Sequence, residues 1–124
     1  MRIGELSSRT GISTSRIRFY EKHDVLPKPT RNGNGYRTYP DTAVKILELI
    51  DAAQQLGFSL SEIRVALSEA APNFPSRAAM AKALRSKLEH IDQHIREVRA
   101  RRRQIVKLLK KRNARLSTSI SAGG

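Results

Sequence analysis

The sequence predicts a mainly α-helical fold, in which a winged helix-turn-helix head with a small β-hairpin precedes one long C-terminal helix. Three patterns predict it: two short amphipathic segments joined by a Gly-containing turn, a stretch with two Asn-Gly pairs, and a heptad repeat. We place the head at residues 1–71, a linker at 72–76, the long helix at 77–116 and a flexible tail at 117–124.

The first two helices are predicted on either side of the turn Gly11-Ile12-Ser13. The first covers residues 3–10. The second begins after Ser13 or Thr14, either of which can accept a hydrogen bond from the first turn, and runs to about His23. Helical spacing places four side chains on the inner faces of this pair, namely Ile3, Leu6, Ile17 and Tyr20.

Residues 30–39 are predicted to form the wing. Asn-Gly occurs twice, at Asn32 and at Asn34, and this dipeptide favours tight turns between strands. Strand-forming side chains follow the second pair, at Tyr36, Thr38 and Tyr39. Gly33 and Gly35 would let the backbone of this hairpin approach a ligand closely.

Two further helices complete the predicted head. Pro40 and Asp41 open the third helix, and Gly57 ends it. The run Ser59-Leu60-Ser61-Glu62 is a capping box, which starts the fourth helix. The stripes predicted to be buried are Ala43, Ile46, Leu47, Ile50 and Ala53 in the third helix, and Ile63, Ala66, Leu67 and Ala70 in the fourth.

The long helix carries a heptad repeat from Ala81 to Leu116. Nine of its eleven a and d positions are apolar, and the exceptions are Arg102 and Arg112. Such a helix would span on the order of 50 Å and cannot bury its own stripe, so the pattern predicts a homodimer. The side chains predicted to form the dimer seam are Leu84, Leu88, Ile91, Ile95, Val98, Ile105 and Leu109.

Charge is unevenly distributed along the chain, whose net charge is +13. Residues 1–58 hold nine basic and six acidic side chains, whereas residues 96–124 hold ten and one. A parallel dimer would set the two basic segments side by side, so we predict an antiparallel coiled coil, in which each faces earlier turns bearing Glu89 and Asp92. The basic segment has three open interpretations: a solvated face, a contact with flanking phosphates or an acidic partner, or a membrane-surface helix.

Several classes of function are disfavoured by what the sequence lacks. The chain contains no Cys, so it has neither disulfides nor thiolate metal sites. It shows no signal peptide and no membrane-spanning run, and we expect a cytoplasmic protein. It also has no nucleophile–base pair and no phosphate-binding Gly loop, so we expect neither an enzyme nor a cofactor. His90 and His94 are weak metal candidates at i, i+4 spacing, and the alternative is a solvated helix face.

The pattern predicts an interface with duplex DNA on two adjacent protrusions. The second helix of a helix-turn-helix enters the major groove, where Arg reads guanine or holds phosphate, and Ser and Thr mostly hold phosphate. The candidates on this helix are Thr14, Ser15, Arg16, Arg18 and Lys22. The wing adds Arg31, Asn34, Tyr36 and Arg37, a mixture of basic and aromatic side chains suited to clamping the phosphate backbone.

Taken together, these motifs resemble the MerR family of bacterial transcription regulators. The resemblance covers about residues 2–70 and is carried, in order, by Ile3-Gly4-Glu5-Leu6, Thr10-Gly11-Ile12-Ser13, Ile17-Arg18-Phe19-Tyr20-Glu21, Gly35-Tyr36-Arg37-Thr38-Tyr39 and Leu56-Gly57-Phe58-Ser59-Leu60-Ser61-Glu62-Ile63. One departure is Phe19, where the family usually has Tyr, so a phosphate hydrogen bond from that ring is lost.

The resemblance implies a homodimer on a pseudo-palindromic promoter, which it distorts between the −35 and −10 elements so that RNA polymerase can engage both. By position, it implies DNA contacts from Arg16, Arg18, Tyr20, Arg31, Tyr36 and Arg37. For Tyr20, packing in the core is the alternative. An architectural, excisionase-like DNA-binding protein is the competing function, and the predicted coiled coil argues against it. A signal is expected to bind between the coiled coil and the head, or at His90 and His94, and the alternative is a regulator without an effector.

Overall fold

The computed structural model describes residues 1–31 and 33–123, with side chains up to residue 115. It divides into two units, Met1–Ala79 and Met80–Gly124. The predicted tail at 117–124, the seam residue Leu116 and the wing residue Asn32 lie outside the described side chains. The predicted mainly helical fold, with an N-terminal helix-turn-helix, a two-stranded hairpin and a long C-terminal helix, is confirmed.

The helix-turn-helix consists of α1 (Ile3–Thr10) and α2 (Thr14–Lys22). Gly11 adopts a left-handed conformation (φ 72°), and its N–H donates to the carbonyl of Ser7, which ends α1. Ser13 caps α2, because its Oγ accepts a hydrogen bond from the backbone N–H of Arg16 at 3.2 Å. This turn sets the direction of α2 relative to α1 and exposes one face of α2.

The wing is smaller than its sequence pattern predicts. Its strands β1 (Thr30–Arg31) and β2 (Arg37–Thr38) pair antiparallel, with Thr30 opposite Thr38 and Arg31 opposite Arg37. Of the aromatic residues predicted for the strands, Tyr36 precedes β2 and Tyr39 follows it. Gly35 has a φ of 79°, a conformation that favours glycine in the connecting loop.

The remaining head helices are α3 (Thr42–Gln55) and α4 (Leu60–Ala70). The predicted capping box is present: Ser59 Oγ accepts from the N–H of Glu62, and Glu62 Oε1 accepts from the N–H of Ser59. The predicted stripe of α4 is only partly buried. Ile63 is buried, but Ala66 is exposed, because α4 lies at the edge of the core.

One hydrophobic core holds the head together. Besides Ile63 on α4, it draws on α1, α2, α3 and the loop after α2, and its buried members include Leu6, Ile12, Ile17, Tyr20, Val25, Leu26, Tyr39, Ala43, Leu47 and Ile50. The predicted burial of Ile17 and Tyr20 is therefore confirmed. The core packs against the inner face of α2, and the outer face of α2 is exposed to solvent.

Most of the second unit is α5 (Arg77–Gly123), which contains the heptad repeat that begins at Ala81 and extends beyond residue 116, where the predicted helix ends. Its first turn is capped by Ser76, whose Oγ accepts from the N–H of Ala79. Among the residues the structure describes, no helix has the length and apolar character needed to cross a membrane.

Candidate nucleic-acid interface

The outer face of α2 presents most of the side chains predicted for the recognition helix. Ser15, Arg16, Arg18 and Lys22 are exposed, and Thr14 is half-buried. Because Arg18 and Lys22 are four residues apart, they lie on the same side of the helix. That side faces the wing, since both residues line one groove with Arg37 of β2.

Arg16 and Tyr20 form a network with α3. The Tyr20 hydroxyl donates to Gln54 Oε1 at 2.8 Å and accepts from Arg16 Nη2 at 2.6 Å. Arg16 Nη2 also lies 3.5 Å from Asp51 Oδ1. The hydrogen bond that Arg16 donates to Tyr20 and, to a lesser extent, the interaction with Asp51 raise the pKa of Arg16. Tyr20 is only 2% exposed and therefore packs in the core, which was the alternative to a DNA contact. Its hydroxyl orients the Arg16 guanidinium through their hydrogen bond.

Two grooves between α2 and the wing concentrate positive charge. A groove of about 210 Å³ is lined by Arg2, Ile3, Arg18, Tyr36, Arg37 and Tyr39. A second groove, of about 300 Å³, is lined by Arg18, Glu21, Lys22, Lys28 and Arg37. Arg18 and Arg37 belong to both. We call the set of Arg2, Arg18, Lys22, Lys28 and Arg37 the cationic cluster. Its dimensions and charge suit the phosphate backbone of a nucleic acid.

The wing places further cations next to this cluster. Arg31 pairs directly with Arg37 across the two strands, and both are exposed. Like charges opposite one another weaken a strand pair, so an anion bound from outside would relieve the repulsion. Tyr36 is half-exposed. The guanidinium carbon of Arg2 lies over its ring, 4.0 Å from the ring centre, in a cation–π contact. Asn34 is exposed in the loop between the strands.

Arg2 and Lys28 are the residues that sequence reasoning missed. Arg2 lies just before α1 and Lys28 in the loop after α2, and neither belongs to a predicted DNA-binding element. Arg2 joins the cluster because the wing folds back beside the N-terminus, where Tyr39 donates its N–H to the carbonyl of Met1 at 2.7 Å. Lys28 joins it because the loop after α2 lines the same groove as Arg18 and Arg37. The only local signal was their positive charge.

Tyr39 closes the base of the wing and is 2% exposed. Its hydroxyl donates to Glu21 Oε2 at 2.7 Å. Burial, reinforced by the hydrogen bond to Glu21, raises the pKa of Tyr39 to about 12. The residue therefore keeps its proton in the folded chain at pH values where an unfolded chain loses it, near pH 10.

This shift predicts a loss of stability in alkali. Between about pH 10 and pH 12 the folded state binds more protons than the unfolded state, so the free energy of unfolding falls as pH rises. Tyr39→Phe should be less stable than the parent at neutral pH, and this difference should shrink by on the order of 2 kcal/mol towards pH 12. Urea unfolding across this pH range measures it. The control, Tyr36→Phe at an exposed ring, should keep the parent's pH dependence; the same dependence in Tyr39→Phe would contradict the prediction.

The exposed stripe of α5 is the second candidate surface. Leu84, Leu88, Ile91, Ile95, Val98, Ile105 and Leu109 are between 41% and 58% exposed in the single chain. Contiguous apolar surface of this kind marks an interaction site. Among the described residues, no group of three or more His, Asp or Glu side chains could hold a metal, so His90 and His94 have no third ligand there.

Comparison with known proteins agrees with this geometry. The family model for the MerR HTH family regulatory protein matches residues 1–70, and a model described as MerR, DNA binding, matches residues 44–108. The chain is 37% identical over 109 residues to the HTH-type transcriptional regulator HmrR of Rhizobium leguminosarum bv. viciae, covering 88% of this chain and 84% of that protein. It is 34% identical over 110 residues to the regulator CueR of Salmonella typhimurium, covering 87% and 78%.

A solved structure shows the same fold. The transcription regulator PbrR691 from Ralstonia metallidurans CH34, crystallised in complex with lead(II), superposes with a TM-score of 0.69 at 25% sequence identity. The match covers 89% of this chain and 86% of that one. The helix-turn-helix, the wing, the long helix and the family matches lead to one conclusion: the chain belongs to the MerR family of non-enzymatic, DNA-binding transcription regulators.

Proposed function

We propose that the chain acts as a homodimer on a pseudo-palindromic promoter, with α2 in the major groove and the wing on the adjacent phosphate backbone. The observation that carries this proposal is the cationic cluster, because Arg18 on α2 and Arg37 on the wing line the same two grooves. A single strand of phosphates passing between α2 and the wing would contact both. The recognition helix and the wing then bind as one surface.

Within this surface the residues have different roles. Arg18 reaches the DNA directly, and Thr14 and Ser15 at the start of α2 hold phosphate. Arg31, Asn34, Tyr36 and Arg37 contact the backbone from the wing, together with Arg2. Arg16 contacts DNA only at the expense of its ion pair with Asp51, and Tyr20 holds Arg16 in place.

The dimer is supported by the α5 stripe. Full burial of a Leu, Ile or Val side chain stabilises by about 1.5–3 kcal/mol, and these seven are about half exposed in the single chain, so burying the remainder contributes roughly half of that per residue. Arg102 sits at an a position within the stripe, and in a parallel pair it would lie against its own copy. An antiparallel arrangement avoids this repulsion, and it places the basic segment beside the turn bearing Glu89 and Asp92.

A dimer of such heads supports regulation by DNA distortion. Two heads fixed on one coiled coil hold two half-sites at a set spacing and angle, and bending or untwisting the duplex can bring the −35 and −10 elements into register for RNA polymerase. The energy for this deformation comes from the phosphate contacts of both heads.

Mapping the bound promoter tests this mechanism. We expect a symmetric footprint in a spacer longer than that of promoters which polymerase uses unaided, with bending in a circular-permutation assay. Deleting base pairs from the spacer should make transcription independent of the protein, whereas an equal deletion upstream of the −35 element should not. A spacer of ordinary length would overturn distortion in favour of simple repression. Binding and bending with no effect on transcription would favour the architectural alternative.

The 124 residues of this chain contain no thiolate that could bind a metal signal. PbrR691 was crystallised with lead(II), a soft ion for which thiolates are strong ligands. The present chain offers no thiolate ligand of this kind among its 124 residues. We therefore propose that this regulator responds to a different class of signal or acts constitutively.

A further inference from the structure

Glu21 is the only charged or polar residue that is buried among those the structure describes. It lies on the inner side of α2, beside Tyr20, and it is also the only acidic residue lining the two grooves of the cationic cluster. A carboxylate there would repel a phosphate, so Glu21 is poorly suited to contact DNA itself. Burying it also has a desolvation cost that its partners must compensate. The partners therefore indicate what the residue does.

Both oxygens of Glu21 face the end of the wing. Oε2 accepts the hydrogen bond from the Tyr39 hydroxyl at 2.7 Å, and Oε1 lies 3.8 Å from Arg37 Nη1. These two partners flank Thr38 at the end of β2. Glu21 thus connects the recognition helix to the wing strand that carries Arg37. The hydrogen bond is charge-assisted and shielded from water, which makes it stronger and more directional than a neutral one.

The wing depends on contacts at its base for its orientation. Each strand has two residues, and an isolated hairpin of this size is not stable in water. The backbone of Tyr39 is held by Met1 through two hydrogen bonds, one from the Met1 ammonium and one to the Met1 carbonyl, both 2.7 Å long. Those bonds fix the wing to the N-terminus. The short hydrogen bond from Tyr39 to Glu21, with the longer ion pair between Glu21 and Arg37, fixes it to α2.

We propose that Glu21 is a positioning residue that sets the wing against the recognition helix through the Tyr39 hydroxyl, so that Arg37 and Arg18 meet one phosphate strand together. The proposal rests on the DNA-binding surface proposed above and names the contact that gives this surface its shape. It assigns Glu21 no direct contact with DNA.

Four variants of the full chain separate positioning from stability. Glu21→Leu leaves the Tyr39 hydroxyl buried without a partner, which destabilises the head. Adding Tyr39→Phe removes that unpaired hydroxyl, so the double variant should regain stability in urea unfolding. Tyr39→Phe alone removes the same bond, whereas Glu21→Gln keeps an oxygen that can accept from Tyr39. Glu21→Gln is therefore the conservative rescue.

Hydrogen exchange of the DNA-free protein and gel-shift affinity for the operator are the two measurements. We expect wing amides to exchange faster, and operator affinity to fall roughly tenfold, in Glu21→Leu, in Tyr39→Phe and in the double variant alike. Glu21→Gln should stay within about threefold of the parent, and the amides of α3 should be protected to the same degree in all variants that regain stability.

The outcomes distinguish a purely structural role of Glu21, a positioning role and a failure of the proposed wing–DNA contact. If wing exchange and operator affinity recover with stability in the double variant, Glu21 has only a structural role and the proposal is overturned. Unchanged wing exchange in all variants would also overturn it, while leaving the DNA-binding surface intact. Faster wing exchange with unchanged operator affinity would instead overturn the wing–DNA contact of the proposed function, and the positioning role with it.

Discussion

Replacing Arg18 by alanine is expected to weaken operator binding on the order of 100-fold while the dimer persists. Arg18 is exposed on α2 and lines both grooves of the cationic cluster, so it can reach either a base edge or a phosphate. Losing an arginine contact of this kind costs about 1–3 kcal/mol, and a homodimer loses it twice. Arg18 is exposed and is not part of the core, so we expect its replacement to leave the stability of the head unchanged.

Gel-shift titration at several salt concentrations measures this effect and identifies the contact. If Arg18 holds phosphate, the slope of log K against log salt should fall by roughly two, one for each protomer. If it reads a base, the slope should change less and the preference for the native operator over altered half-sites should weaken. Arg85→Ala removes an equal charge from α5 and is the control, with affinity close to the parent's. Unchanged affinity in Arg18→Ala would show that α2 is not the recognition helix.

The second large effect is expected from Ile95→Asp, which should dissociate the dimer and abolish operator binding at protein concentrations that saturate the parent. Ile95 occupies an a position near the middle of the α5 stripe, between Ile91 and Val98, and is 41% exposed in the single chain. A carboxylate in a dimer seam has no partner there and pays a large desolvation cost. A monomeric head then loses the gain from binding two half-sites at once, which reaches 10²–10⁴-fold in linked binders.

Sedimentation velocity and gel shift on the same samples test this prediction. Ala100→Asp introduces the same side chain at an f position of the same heptad, on the outer face, and should remain a dimer with normal affinity. Circular dichroism establishes that the head helices are intact in both variants. A monomer of Ile95→Asp that binds the operator as tightly as the parent would refute the requirement for a dimer.

Much of the fold was predictable because its signals are local. Gly11 ends α1, Ser13 caps α2 and the Ser59–Glu62 box starts α4, and each of these depends on hydrogen bonds within a few residues. The heptad pattern of α5 is also readable from spacing alone. For this reason the bounds of α1 and the start of α5 coincide with their predictions, whereas the strands of the wing, which depend on pairing across a loop, were shorter than predicted.

The candidate site was only partly predictable, because tertiary contacts give its aromatic residues different roles. Tyr20, Tyr36 and Tyr39 look alike in sequence, because each lies within two residues of an arginine or lysine. In the structure, Tyr20 is buried with its hydroxyl on Gln54, Tyr39 is buried with its hydroxyl on Glu21, and Tyr36 is half-exposed beneath Arg2. No local pattern distinguishes these environments, since each is created by a segment distant along the chain.

By itself, the sequence determined the order of the helices, the caps that start α2 and α4, the presence of a wing and the apolar stripe of α5, because caps, turns and periodicity act over a few residues. Only the tertiary structure decided which side chains form the cationic cluster. It brought Arg2 to Tyr36 and Lys28 to Arg18, buried Tyr20 and joined Glu21 to Tyr39. The physical reason is that these contacts depend on how α1, α2 and the wing pack on one core. The free energy of that packing comes from residues far apart in the sequence, so no short stretch of sequence predicts it.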